Sequence, residues 1–259
     1  MNILVLLRMV PDVVEELELA ADGKSLEQES LRMILSESDG HAVEEALLLK
    51  ERHGGTVTVL ALDAPEVDDA FFTALAKGVD RAVKITGLEP GLTTRGAAQI
   101  LSQVMATASG LLPADLIFTG TQAIDDLDGS IAPLIAQSLQ RPFVAIVVQM
   151  VLAPSGGAAT VVKECPGGVR GEFEVQLPAV LGIQAAEKPP RYVPVAKVRA
   201  AAKSRQIECL PAPAPLEPPL VEVLQMMKPV VTGHAKMLEG PDEKIASEIC
   251  EILAERGLM

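Results

Sequence analysis

The sequence predicts a doubly wound α/β protein: a mostly parallel sheet covered by helices on both faces, with antiparallel additions and a C-terminal extended arm ending in a helix. Three observations predict it. Short aliphatic or β-branched runs, each too brief for an ordinary helix, fall at residues 2–7, 56–62, 81–85, 115–118 and 143–148. Apolar residues at helical spacing fill the gaps between them. The runs are almost continuously apolar, as strands buried on both faces of a parallel sheet are, and right-handed crossovers then follow.

Taken in order, "NILVLL" near the start is a buried strand: "MNILVLLRMVPD" has neither the basic opening nor the small-residue cleavage site of a signal peptide. "DGHAVEEALLLKERHGG" is a helix with a cap at Asp39, apolar Val43, Ala46 and Leu47 along it, and a stop at Gly54. "VDDAFFTALAKG" forms a second helix over residues 68–78. In "RGAAQILSQVMATASG", Ile100, Leu101, Val104, Met105 and Ala108 share one helix face. After residue 150 the rhythm changes. "VLAPSGGAATVVKE" reads as a hairpin, and "EFEVQLPAVLGI" alternates before turning fully apolar, giving antiparallel additions and one last strand of the main sheet.

The expected organisation is an α/β domain over 1–190 with a hairpin insertion at about 150–176, a recognition loop and basic stretch over 191–205, and an arm over 206–259. Five prolines between Pro211 and Pro219 exclude a helix or central strand there. The arm closes on "PDEKIASEICEILAERG", a helix with Pro241 at its start and a stripe of Ile245, Ile249 and Ile252 that a partner chain is expected to cover.

Composition removes several function classes. With 259 residues, 49% of them hydrophobic, the chain can bury a sizeable core, and its net charge of -13 argues against a nucleic-acid partner. No run reaches about 18 apolar residues, so membrane insertion is not expected and the chain reads as cytoplasmic. Three scattered cysteines and three histidines support neither a disulfide framework nor a zinc site. No nucleophile, base and orienter set stands out, as expected of a carrier rather than a stand-alone enzyme.

The stretch "TGTQAIDDLDGSIAP" leaves the carboxyl end of a central strand, and "RMVPD" leaves the carboxyl end of the first. In open α/β sheets ligands sit there, where strand order reverses. Gly129 and Ser130 precede the apolar helix of Ile131, Leu134, Ile135 and Leu139. Free amides at that helix start bind phosphate without lysine, which makes an adenine nucleotide the natural guest. A Gly-Ser turn that merely caps a helix is the commoner arrangement, and the residues alone leave both readings open.

"GTQAIDDLDG" resembles the G-K/R-Q-A-I-D loop of electron-transfer flavoprotein β subunits. "AVEEALLLKE", "ALAKGVDRAV" and "LPAVLGI…PPRY" are similar to further segments of that family, in the same order and at similar spacing, so the resemblance spans essentially the whole chain. It implies a Rossmann-like fold of the adenine nucleotide α-hydrolase-like type. It also implies a heterodimer with an α subunit that holds most of the redox-active FAD, while this chain binds AMP or a second FAD and wraps its tail around α. Electrons would pass from a flavin dehydrogenase to a quinone oxidoreductase or other acceptor. Electron-bifurcating relatives instead split electron pairs from NADH, using a second FAD, and a free-standing adenine-nucleotide-binding module is a third reading.

Carried over residue by residue, the resemblance puts nucleotide contacts on Leu6 and Arg8, on Ser36 and Asp39 of "SESD", and on Leu62. It adds the loop residues Gly120, Thr121, Gln122, Ala123, Ile124, Asp125 and Asp126, then Gly129, Ser130 and Ile131. Where the family reads Gln-Thr-Gly or Gln-Val-Gly, this chain reads Ser130, Ile131 and Ala132, which leaves AMP, FAD or neither as the occupant. "MVPD" and Pro133 lean toward the bifurcating relatives and Asp126 toward the AMP type. Partner docking falls on Tyr192 and Val195, with Arg191, Lys197, Arg199, Lys203 and Arg205 as a basic surround.

Overall fold

The first strand, β1 (Asn2–Leu7), is buried at every residue after Asn2 because helices cover it on both faces. Next come a short pair, β2 (Met9–Pro11) and β3 (Met33–Leu35), then α1 (Glu37–His53), β4 (Thr56–Leu62), α2 (Val67–Lys77) and β5 (Arg81–Thr86). They are followed by α3 (Thr94–Thr107), β6 (Leu116–Gly120), α4 (Ile131–Leu139), β7 (Phe143–Leu152), β8 (Ala158–Glu164), β9 (Arg170–Gln176) and β10 (Ala179–Ile183). Helix α5 (Val195–Ser204), strand β11 (Glu208–Pro211) and helix α6 (Asp242–Glu255) complete the order. This computed structural model describes residues 1–27, 31–88, 92–126, 129–154, 156–214, 222–230, 233, 235 and 237–258. Leu127, Asp128, His234 and residues 215–221 of the proline-rich stretch lie outside the described residues.

Nine strands form one sheet in the order β11-β5-β4-β1-β6-β10-β7-β8-β9. It is parallel from β11 to β7, and β8 and β9 then add antiparallel. Chain order runs outward one way from β1 through β4 to β5, then returns to the other side of β1 with β6. The reversal of strand order therefore lies at β1 and β6.

Alternation along β1 sorts its side chains between two cores. Ile3, Val5 and Leu7 join Val43, Leu47 and Phe71 of α1 and α2 on one face. Leu4 and Leu6 join Leu101, Met105 and Ile135 of α3 and α4 on the other. A doubly wound α/β sheet is what the alternating runs predicted.

The structure departs from the sequence reading in four respects. Helix α1 begins after Ser36, so Asp39 lies inside its first turn and not at its cap. The antiparallel pair β2 and β3 is new; three residues per strand are too few to carry a period. The basic, alanine-rich stretch forms helix α5, which buries Ala201 in the core beside α2. The arm does not begin at residue 206, because Glu208–Pro211 pairs in parallel with β5, where Pro211 is tolerated at the edge and the Arg81 guanidinium holds Glu208 at 2.7 Å.

The chain divides into two compact units, Met1–Leu224 and Gln225–Met259. Within the second, α6 carries Asp242 and Glu243 in its first turn and ends before Gly257 at φ 67°. Ile249 on its apolar stripe is exposed. No helix among the described residues is long and apolar enough to cross a membrane.

Candidate functional site

A cavity of about 580 Å³ opens at the carboxyl ends of β1, β4, β5 and β6, where the strand order reverses. Leu6, Leu62, Leu92, Leu101 and Ile131 give it apolar walls. Arg8, Asp39, Asp63, Thr93, Thr94 and Asp126 supply its polar groups. A large pocket with a few convergent polar groups is the ordinary form of a small-molecule site.

Asp39 sits at the floor. One carboxylate oxygen accepts the Gly120 N–H at 2.6 Å and the other accepts the Arg8 N–H at 2.8 Å, so α1 ties together the ends of β6 and β1. Only glycine allows this approach, since a Cβ on Gly120 would lie 2.6 Å from Asp39 Oδ1. Burial pushes the Asp39 carboxyl up to about 7, against the two amides and the Arg8 charge that favour its ionised form. Near neutrality both forms are populated.

Arg8 reaches across the mouth, with its guanidinium 3.1 Å from Asp125 Oδ1 and 3.3 Å from Asp126 Oδ2. Thr94 Oγ1 donates to Asp126 Oδ1 at 3.3 Å, which fastens the head of α3 to the same loop. Helix α4 points its first turn at this region through Ile131, and Pro133 at the third helical position has no N–H. Ile131 and Ala132 are the amides that the first turn offers an anion.

The structure thus gathers Leu6, Arg8, Asp39, Leu62, Gly120, Ala123, Asp126 and Ile131 around one cavity. The other seven expected contacts do not line it. Ser36 is buried, with its N–H on Arg8 O at 2.9 Å. Thr121 turns inward and donates to Gly182 O at 3.1 Å. Gln122 Nε2 donates to Asp126 O at 2.9 Å, and Gln122 O accepts from Ser38 Oγ, so Gln122 frames the loop. Ile124 is 65% exposed, and Asp125 is held through Arg8. Gly129 takes φ 57° close against Gln122, and the Ser130 side chain makes no capping hydrogen bond to α4.

Sequence reasoning missed Thr93 and Thr94. Their signal was legible: "LTTRG" opens a helix directly after the third parallel strand, and Thr93 Oγ1 caps α3 by accepting the Gly96 N–H at 3.3 Å. It also missed how the docking residues are held. His41, Glu45 and Glu44 on α1 accept the backbone N–H groups of Ala186, Glu187 and Arg191 in turn. Arg191 further bonds Glu44 Oε1 through Nε at 2.9 Å and Glu51 Oε1 through Nη1 at 2.5 Å, so it is an internal strut and not part of a basic surround. Beyond this strut Tyr192 is 83% exposed and Val195, the first residue of α5, is 59% exposed.

Comparison with known proteins gives the same lineage. The electron transfer flavoprotein domain family model matches residues 25–215. The chain is 29% identical to the electron transfer flavoprotein subunit beta of Methylophilus methylotrophus over 98% of both chains. It is 34% identical to the protein of the same description from Clostridium acetobutylicum over 76% of this chain and 74% of the other. A further match is protein FixA of Azorhizobium caulinodans, 31% identical over 70% of this chain and 65% of the other.

Proposed function

This chain belongs to the electron transfer flavoprotein β-subunit family, and we propose that it works as one half of a heterodimer whose α subunit carries the redox flavin. In this reading the chain is a nucleotide-holding and docking platform through which a flavin dehydrogenase delivers electrons bound for a quinone oxidoreductase or another acceptor.

One observation carries the nucleotide half of the reading. The cavity at the strand reversal is large enough for an adenine mononucleotide, and its lining divides by chemistry as such a ligand does. Leu6, Leu62 and Ile131 are apolar walls for the base. Thr93, Thr94 and Asp39 are hydrogen-bonding groups for ribose hydroxyls. Arg8 and the α4 amides are the donors for phosphate, with Arg8 already shared by Asp125 and Asp126. A nucleotide bound there would stabilise the fold by mass action and take no part in chemistry. The flavin supplies the redox chemistry.

The docking half is supported by Tyr192 and Val195, exposed side chains standing on the Glu44–Arg191 strut. Co-purifying the chain with its partner, denaturing the complex and identifying the released nucleotides by mass tests the reading. AMP and one FAD per heterodimer is the expected result. Two FAD would make the complex bifurcating, and no partner and no nucleotide would defeat the proposal.

A further inference from the structure

A second cavity, of about 340 Å³, lies between β3 and α2, with Val43, Ala70 and Ala74 as its floor and Arg32, Glu66 and Lys77 among its polar lining. Met9 and Met33 line both this cavity and the larger one, so these two side chains form the wall the cavities share. We propose that Met33 sets the length of ligand this chain accepts: in place it confines the site to an adenine mononucleotide, and its removal joins the two cavities into a site for an adenine dinucleotide. The inference rests on the nucleotide reading above and adds to it the residue that decides between ligand classes.

The two methionines are not equivalent. Met9 is 6% exposed and belongs to the main core, so it is fixed by packing. Met33 is half-buried at the start of β3, outside the nine-stranded sheet. Its backbone is pinned, because its N–H donates to Glu66 Oε2 at 2.9 Å and it pairs with Pro11 across the short strands. What can change at this wall is the side chain, an unbranched thioether with three rotatable bonds.

The chemistry beyond the wall suits the second half of a dinucleotide. Arg32 and Lys77 are cations on its lining, and Glu66 and Asp69 are acceptors for hydroxyl groups. Burial lowers the Lys77 pKa by disfavouring its charged form, which an anionic ligand group beside it would restore. The methionine sulfurs offer contact to an aromatic ring edge. Together the two volumes approach the upper end of the roughly 300–1,000 Å³ typical of small-molecule sites.

Titration of the full-length chain with AMP and, separately, with FAD tests the proposal, using the natural sequence, Met33→Ala and Met33→Val. Valine keeps a strand-forming residue at β3 while shortening the side chain, so it answers for the site if the alanine variant fails to fold. The natural chain is expected to bind AMP at least tenfold more tightly than FAD. Both variants should gain at least tenfold for FAD with AMP affinity within threefold of the natural chain, and adding Lys77→Gln should remove most of that gain. FAD affinity unchanged in the folded variants, or AMP and FAD shifting by the same factor, would overturn the role of Met33 and leave the nucleotide site standing. Binding of neither nucleotide to the natural chain and the variants would overturn the site and the selector together.

Discussion

Helix α1 places buried carboxylates at two points, and the two are balanced differently. Midway along it, Glu44 lies 3% exposed against Arg191, whose guanidinium is 2.8 Å away, and the Arg191 N–H completes the pair. At its amino end, Asp39 is equally buried, but its own hydrogen bonds come from two backbone amides, and the nearby Arg8 is engaged by Asp125 and Asp126. One end is a closed ion pair that holds the segment leading to Tyr192. The other keeps negative charge facing a cavity, and its carboxyl is raised to about 7 by burial. The contrast teaches that the same helix closes one buried carboxylate with a matched charge and leaves another on a cavity wall, held by backbone amides instead.

The comparison breaks most visibly at the closed pair. Glu44→Ala leaves Arg191 without its buried partner and should lower unfolding free energy by about 3 kcal/mol in urea titration; a loss below about 1 kcal/mol would remove the distinction. At the open end, Asp39→Asn keeps one acceptor and turns an NH2 group toward the amide of Arg8 or Gly120, for an expected loss of about 1–3 kcal/mol.

The same position carries a pH signature. Because folding raises the Asp39 pKa from 3.8 to about 7, the native state holds more protons than the unfolded chain between those values. Stability from this group is therefore complete below pH 3.8 and is lost as pH rises through about 7. Denaturant midpoints of the natural chain and Asp39→Asn at pH 5 and pH 8 should differ in that sense, the natural chain losing more on going to pH 8. Equal losses would show that Asp39 does not titrate in this range.

Smaller effects sharpen the contrast. Arg8→Gln removes the cation that Asp125 and Asp126 share at the cavity mouth and should weaken AMP binding about tenfold, or ~1.4 kcal/mol, by calorimetry. The fold should lose less than about 1 kcal/mol, since Arg8 is partly exposed. Tyr192→Ala, at an 83% exposed site, should change stability by less than about 0.5 kcal/mol while slowing electron delivery from the partner dehydrogenase. If electron delivery is unchanged, the docking assignment is wrong.

Much of this was readable before any coordinates. The runs at β1, β4, β5, β6 and β7 announced themselves because strands buried on both sides must be apolar throughout. The loop after β6 was a candidate cavity edge because it follows such a run and opens a helix, and Gly120, Ala123, Asp126 and Ile131 of it line the cavity. Thr93 and Thr94 were within reach by the same logic. By contrast, β11 hid inside a proline-rich context, since its pairing depends on the exposed edge of β5 and not on its own composition. Helix α5 hid because its one buried face is small and its surface is basic.

What the sequence by itself determined is therefore the α/β alternation, the family and the strand ends where the cavity opens, each written in local pattern. Only the tertiary structure decided how charges are shared. Asp39 meets a strand end 81 residues away, Glu44 meets an arginine 147 residues away, and Met33 closes a wall between two cavities. The physical reason is that hydrogen bonds and ion pairs act over a few ångströms, and chain separation carries no trace of which distant groups folding will bring within that range.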